Sequence, residues 1–329
     1  KGNRAPAGEH LSLNQIMPPT VQSSPRRTEF IDTRTLMQIR SLELRSQVVV
    51  QGFWNGIHRS PYHGFSAEFT EYRQYVPGDD TRYLDWRLLA RSDRSYIKKF
   101  EDETNLRCHL LLDQSRSMTF GSLDWTKADY AHTLAATLAY FLFQQGDAVG
   151  LLSFDESIRD YLPARNRPGH LRQLMLSLEK PAAGKSTDLS KPLRRILELV
   201  NKRGLMVLVS DLLTPLDELE RQLGQLTATG HEVVVFRVLD PQEVDFDFNE
   251  ALLFHDAETE ADFFIDPVAA RRKYLGRFEE HGDSLRSICN KLGAEFLSVT
   301  TDQPLDRVLS DFLRQRRRRG KSIRRHANR

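Results

Sequence analysis

The chain has 329 residues, 40% of them hydrophobic and 28% charged, a balance that excludes a disordered, collagenous or fibrous protein. Its formal net charge of +2 is a cancellation: residues 314–329 carry eight Arg and one Lys and no acid, leaving the other 313 residues at −7. Within that remainder, Leu106–Leu313 holds 23 basic and 32 acidic residues, so a partner inferred from the mean charge would be the wrong one.

In chain order, residues 1–28 read as a disordered leader, interrupted by Pro6, Pro18, Pro19 and Pro25 and poor in apolar material to bury. A helical pattern starts at Asp32, with Leu36, Ile39, Leu42 and Leu44 near one face, and a short apolar, β-branched run Ser46–Trp54 follows. From Glu68 to Val76 apolar and polar residues alternate as in a half-buried strand. Pro77-Gly78 makes a turn, Asp79 and Asp80 stand where an N-cap would start a helix Thr81–Ala90, and a second alternating run spans Ser95–Glu101. Residues 29–105 are therefore expected to form a smaller, β-containing domain.

Beyond Leu106 the pattern changes to alternating strand and helix. Strands are predicted at Cys108–Leu112, Ala148–Phe154, Leu205–Val209, Glu232–Val238 and Glu295–Val299. Helices are predicted between and after them at Lys127–Gln144, His170–Glu179, Leu189–Asn201, Leu216–Ala228, Val268–Lys291 and Leu305–Leu313. Short Val/Leu/Ile/Phe runs suit a parallel sheet covered on both faces, and the repeat predicts an α/β, doubly wound, mostly parallel sheet over residues 106–313. Ligands of such sheets sit beyond the carboxyl ends of the strands. One piece departs from the alternation: residues 240–266 hold ten acids and no Lys or Arg, with Leu252–Phe254 and Asp262–Ile265 flanking a polar turn, which predicts a projecting acidic hairpin. Residues 314–329 form a basic tail.

Cys108 and Cys289, the two cysteines, lie in apolar stretches at a spacing that matches no zinc or redox motif, so reduced core thiols and a cytoplasmic location are expected. No segment reaches the ~18 apolar residues of a membrane span.

The chemistry-bearing pattern follows the first strand of the sheet. Leu110-Leu111-Leu112 ends in Asp113-Gln114-Ser115-Arg116-Ser117, placing a carboxylate and two hydroxyls at the carboxyl edge. Val207-Leu208-Val209 likewise ends in Ser210-Asp211, and Gly184-Lys185-Ser186-Thr187 supplies a hydroxyl in a loop that opens a helix. These are hard oxygen ligands of the kind Mg²⁺ and Mn²⁺ prefer. Ser and Asp after a strand also serve simply as helix caps.

In order and spacing, Asp113, Ser115, Ser117, Thr187 and Asp211 resemble the metal-ion-dependent adhesion site (MIDAS) of von Willebrand factor type A domains. That resemblance implies that the first Asp and the two Ser hold the ion, Thr187 adds a hydroxyl and Asp211 acts directly or through water. The remaining position would be left to an Asp or Glu of a partner protein. One departure is Lys185-Ser186-Thr187 where Gly-Gly-Thr is commoner.

A second block lies upstream: Glu68-Phe69, Glu71-Tyr72-Arg73, Tyr75 to Asp80, Arg82, Asp85-Trp86 and Ala90-Arg91, with Gly52, His58-Arg59-Ser60 and Gly64 before it. Together with Thr301-Asp302-Gln303-Pro304-Leu305 near the end, it resembles the signature of bacterial proteins of domain-of-unknown-function family 58 (DUF58), which carry this block ahead of a type A domain. The resemblance implies work beside a MoxR-type AAA+ ATPase, as an adaptor or co-chaperone in the assembly or maturation of other proteins. The block's close carboxylates and guanidiniums invite a salt-bridge network that fixes geometry more than it stabilises.

The function expected is therefore a non-enzymatic, metal-dependent protein–protein interaction module. Two alternatives come from other classes. One is a metal-dependent hydrolase using Asp79, Asp80 and Asp85; no nucleophile accompanies them, His58 and His63 lie in no triad pattern, and no Walker loop occurs. The other is an anionic-polymer binder acting through Arg314–Arg329; that tail lacks the interleaved aromatics of a base-stacking surface, leaving only phosphate attraction.

Overall fold

A computed structural model describes residues 30–59, 71–74, 96–99, 106–182, 189–200, 202–248, 252–255, 262–265 and 267–327. The predicted sheet is present. β3 (Arg107–Asp113), β4 (Ala148–Phe154), β6 (Leu205–Ser210), β7 (Glu232–Leu239) and β10 (Glu295–Thr300) run parallel in the order β10-β7-β6-β3-β4. A strand missed in the sequence, β5 (Ile158–Arg165), closes the β4 edge antiparallel. Its residues are mostly half-buried, and an edge strand with one covered face lacks the continuous apolar run that betrays the central strands.

Alternation sorts the strand side chains onto two faces. Leu110, Leu112, Val207, Val209, Val234 and Phe236 enter one apolar core, whereas Leu111, Met206, Leu208, Val233 and Val235 enter the other. On the first face lie α3 (Lys127–Gln144), α4 (His170–Leu178) and the buried start of α9 (Leu305–Ala327); on the second lie α5 (Ser190–Leu199), α6 (Leu216–Ala228) and α8 (Pro267–Leu292). Cys108 and Cys289 are buried free thiols, one in each core.

The described N-terminal residues begin with helices, in keeping with the helical pattern read from Asp32. α1 (Thr33–Met37), capped by Asp32, and α2 (Leu42–Arg59) are helices, and Leu36, Val49, Val50 and Phe53 join the same core as α3 and the sheet. The β-branched run is helical because burial outweighs the small intrinsic preference of Val for strands. Phe53 meets Phe141 of α3 edge-on with centroids 5.8 Å apart. The Arg45 side chain donates to the Met37 carbonyl at 3.0 Å and to Thr133 Oγ1 at 3.2 Å, closing the end of α1 against α3.

The signature segment after β10 has a structural role: the Thr301 carbonyl accepts from Trp125 Nε1 at 3.1 Å, the Asp302 carbonyl from Thr33 Oγ1 at 3.0 Å, and the Gln303 carbonyl from the Tyr130 hydroxyl at 2.9 Å. Of the upstream block, the structure describes one antiparallel pair, β1 (Glu71–Gln74) with β2 (Tyr96–Lys99), in agreement with two of the alternating runs. Asp79, Asp80, Asp85 and the helix expected at Thr81–Ala90 lie outside the described residues.

The predicted hairpin is formed by β8 (Leu252–His255) and β9 (Asp262–Ile265). No break separates the basic tail from the fold: α9 runs on from Leu305 to Ala327. Arg314 pairs with Asp311 at 3.8 Å and Arg316 with Glu232 at 3.5 Å, so the first tail cations turn back to the acidic body. Among the described residues, no helix is long and apolar enough to cross a membrane.

Candidate functional site

The carboxyl edge of the sheet gathers four of the five predicted ligands. Asp113 ends β3 and is fully buried; Ser115 is buried one step on, and Ser117 lies in the 3₁₀ turn Arg116–Thr119. Adjacent β6 ends in Ser210 and leads into Asp211, both fully buried. Thr187 and Lys185 lie outside the described residues.

Both Asp113 oxygens are engaged: Oδ1 accepts from the Ser115 backbone N–H at 2.8 Å and Oδ2 from the Ser210 hydroxyl at 2.6 Å. The Ser115 and Ser117 hydroxyls lie 3.1 Å apart, close enough to act on one point. Burial, then the charge of Asp211, pushes the Asp113 carboxyl up to about 6 against these hydrogen bonds. A positive charge at the loop would reverse that pressure.

A cation that the sequence reading did not single out already stands beside Asp211. Lys127, in the first turn of α3, is buried with 1% of its side chain exposed, and its ammonium donates to Asp211 Oδ2 at 2.9 Å and Glu243 Oε1 at 2.7 Å. Burial alone would pull this lysine down, but the two carboxylates outweigh it and hold its pKa above the ordinary value.

Glu243 belongs to α7 (Pro241–Asp245), which Asp240 caps in a reciprocal capping box. Asp240 is fully buried and also accepts from the Ser122 backbone N–H at 2.9 Å. Asp240 and Glu243, the first acids of the segment expected to project as an acidic hairpin, are instead drawn into the site by the end of β7 and by α7. The resulting chain of contacts, Ser122–Asp240–Glu243–Lys127–Asp211, ties the loops after β3, β6 and β7 to the start of α3.

The backbone here is constrained. Leu212, after Asp211, has φ of 59° and Phe246, after α7, has φ of 46°; these are left-handed conformations unusual for bulky residues. The Leu212 N–H donates to Ser210 Oγ at 3.0 Å and its carbonyl meets His281 Nε2 at 3.1 Å. In the loop after the 3₁₀ turn, a Cβ on Gly121 would stand 2.3 Å from the Trp125 carbonyl oxygen, so only glycine fits the close turn before α3. Phe120 and Leu213 project from the rims of the two acid-bearing loops, 41% and 47% exposed.

The donor set suits a hard divalent cation. Asp113, Ser115 and Ser117 offer a carboxylate and two hydroxyl oxygens, while Asp211 has its Oδ2 taken by Lys127 and its Oδ1 accepting from the Leu213 N–H at 3.3 Å. Among the described residues, no three His, Cys, Asp or Glu side chains cluster as a metal group; a metal here would rest on hydroxyls as much as on carboxylates.

Sequence alone could have flagged two of the missed residues. Lys127 is the one Lys or Arg in the most apolar helix, which it opens, and Arg237 is the one cation within the strand Glu-Val-Val-Val-Phe-Arg-Val-Leu. The engagement of Glu243 depends on where α7 folds and left no such signal.

Known proteins resemble this chain as follows. It matches the family described as "Protein of unknown function DUF58" over residues 71–284. An uncharacterized protein of Mycobacterium tuberculosis is 28% identical over 297 residues, covering 89% of this chain and 93% of its own. Among solved structures, the conserved hypothetical protein BatB of Bacteroides thetaiotaomicron aligns with a TM-score of 0.45 at 13% identity, covering 64% of this chain and 98% of that one. The SpRpn10 VWA domain aligns with a TM-score of 0.39 at 11% identity, covering 63% and 95% respectively.

Proposed function

Because the chain belongs to the DUF58 family, whose description assigns no activity, we propose its function from the site itself: a non-enzymatic, metal-dependent protein–protein interaction module. One observation carries the proposal: a buried carboxylate, Asp113, beside two hydroxyls 3.1 Å apart, at a sheet edge rimmed by the exposed apolar side chains of Phe120 and Leu213. Asp113, Ser115 and Ser117 would hold Mg²⁺ or Mn²⁺, with Thr187 adding a hydroxyl and Asp211 acting through water. When bound, the ion supplies a fixed positive charge with a coordination position open to a carboxylate of the partner.

The chain's own residues prepare that encounter. Ser210 and the Ser115 N–H fix the Asp113 carboxylate, Lys127 fixes Asp211, and Phe120 and Leu213 offer apolar contact around the charge. The family resemblance adds the partner class: a MoxR-type AAA+ ATPase, for which this protein would serve as adaptor or co-chaperone.

The test is Asp113→Ala, with Mg²⁺ binding followed by calorimetry and partner capture performed with and without EDTA. The expected outcome is a folded variant that has lost both Mg²⁺ binding and the EDTA-sensitive partner. An unchanged Mg²⁺ affinity would overturn the metal site, and capture indifferent to EDTA would overturn metal dependence.

A further inference from the structure

Behind the acid-bearing loops, on the second face of the sheet, lies a cavity of about 880 Å³ between the end of β7, α7 and α8. Its walls are a run of aromatic rings. Phe246 packs on Phe248 at 5.0 Å between centroids and stacks on Tyr274 at 4.3 Å, and Tyr274 stacks on Phe278 at 5.7 Å. Phe278 in turn lies over the guanidinium of Arg237, 4.6 Å from its ring centroid. Phe246, in a left-handed conformation, lines the cavity.

Arg237 is the anomaly. It continues the inward row Val233, Val235 of β7, is 3% exposed and lines the cavity, yet among the described residues its Nε and Nη2 atoms have no hydrogen-bond partner. A guanidinium does not shed its charge, and each buried donor left unmade is costly. Among the described residues, the acids that act on it electrostatically, Asp211 and Glu243, are bonded to Lys127. Nε and Nη2 share one edge of the guanidinium, the edge whose two parallel N–H groups match the two oxygens of a carboxylate. Among the described residues, the cavity lining also carries Lys273 and Arg277 against only Asp211 and Glu243. Its charge is thus net positive within an acidic domain.

We propose that this cavity is a binding site for a carboxylate carried on a flat apolar body, with the carboxylate on Arg237 and the body against Tyr274 and Phe278. The volume is that of a small-molecule site, apolar with a few placed polar groups. The chemistry is shared by a free aryl or alkyl acid and by the C-terminal carboxylate of an aromatic peptide. It needs no metal, and although Asp211, Phe120 and Leu213 border both sites, the two proposals fail separately.

The experiment is calorimetry in EDTA on the full chain with four probes: 4-phenylbutyrate, its amide, and N-acetyl-Phe-Leu-Phe with a free or an amidated C-terminus. An acid binding at least about tenfold more tightly than its amide, a difference of about 1.4 kcal/mol, supports the site, and the tighter acid names the source. Arg237→Gln is expected to abolish that preference while Arg307→Gln, on the opposite layer, leaves it intact. Should Arg237→Gln fail to fold, the comparison of acid with amide on the unaltered protein still decides. Equal affinity of acids and amides, or no binding of any probe at millimolar concentration, overturns the proposal.

Discussion

Lys127 occupies the first turn of α3, where the helix dipole disfavours a cation, yet it is among the largest fully buried side chains of the protein. Asp211 and Glu243 explain why it stays: two carboxylates at 2.9 and 2.7 Å offset both the dipole and the loss of water. Such a pair contributes little net stability while intact, but removing one partner strands the others. Lys127→Met is accordingly expected to lose about 3–5 kcal/mol in urea unfolding, with part of the loss recovered when Glu243→Gln is added. A loss under about 1 kcal/mol would show that the cluster is solvated. At this scale the sequence was legible where a residue type announces its chemistry. Asp113, Ser115, Ser117 and Asp211 could be placed at the carboxyl edge of the sheet because apolar strands run up to them. Lys127 and Arg237 could not be placed, because a lone cation in an apolar segment does not say which acid it meets, or whether it meets one.

The elements were more legible at the sheet than around it. Central strands such as β6, buried at every position, have no polar face to disguise them, whereas β5 is half-buried along most of its length and fully buried nowhere, and went unseen. The β-branched run Val48-Val49-Val50 gave no sign of a helix because its fate is set by what it packs against. α2 is part of the sheet domain's core, so its damage should be felt there. Phe53→Ala, which removes a ring packed on Phe141, is expected to cost about 3–5 kcal/mol and to lower the single unfolding transition of the sheet. A separate early transition, with the sheet's midpoint unchanged, would instead show that α2 unfolds on its own.

For the whole molecule, charge and burial set the response to pH. His109 and His132 are each pulled down to about 4, chiefly by burial, and among the described residues His132 Nε2 has no hydrogen-bond partner. With folded values below the unfolded value of 6.5, the unfolded chain binds more protons between about 4 and 6.5, so stability falls as pH falls through that window. Each such histidine costs about 2 kcal/mol at pH 5. Asp113, raised to about 6, acts in the opposite sense and offsets part of the loss. Urea unfolding at pH 7 and pH 5 should show a net fall, and His132→Gln should shrink it; equal stability at both pH values would contradict this. The position of Asp211 has a further consequence at this scale. It faces the hydroxyl-bearing loop on one side and the aromatic cavity on the other, and is bonded through Lys127 to Glu243 on the cavity's wall. Any occupant that displaces this carboxylate alters the free energy of filling the other site, and thermodynamic linkage makes the influence mutual and equal in size. A cation at the sheet edge and an acid beneath α8 would thus regulate one another through a single side chain.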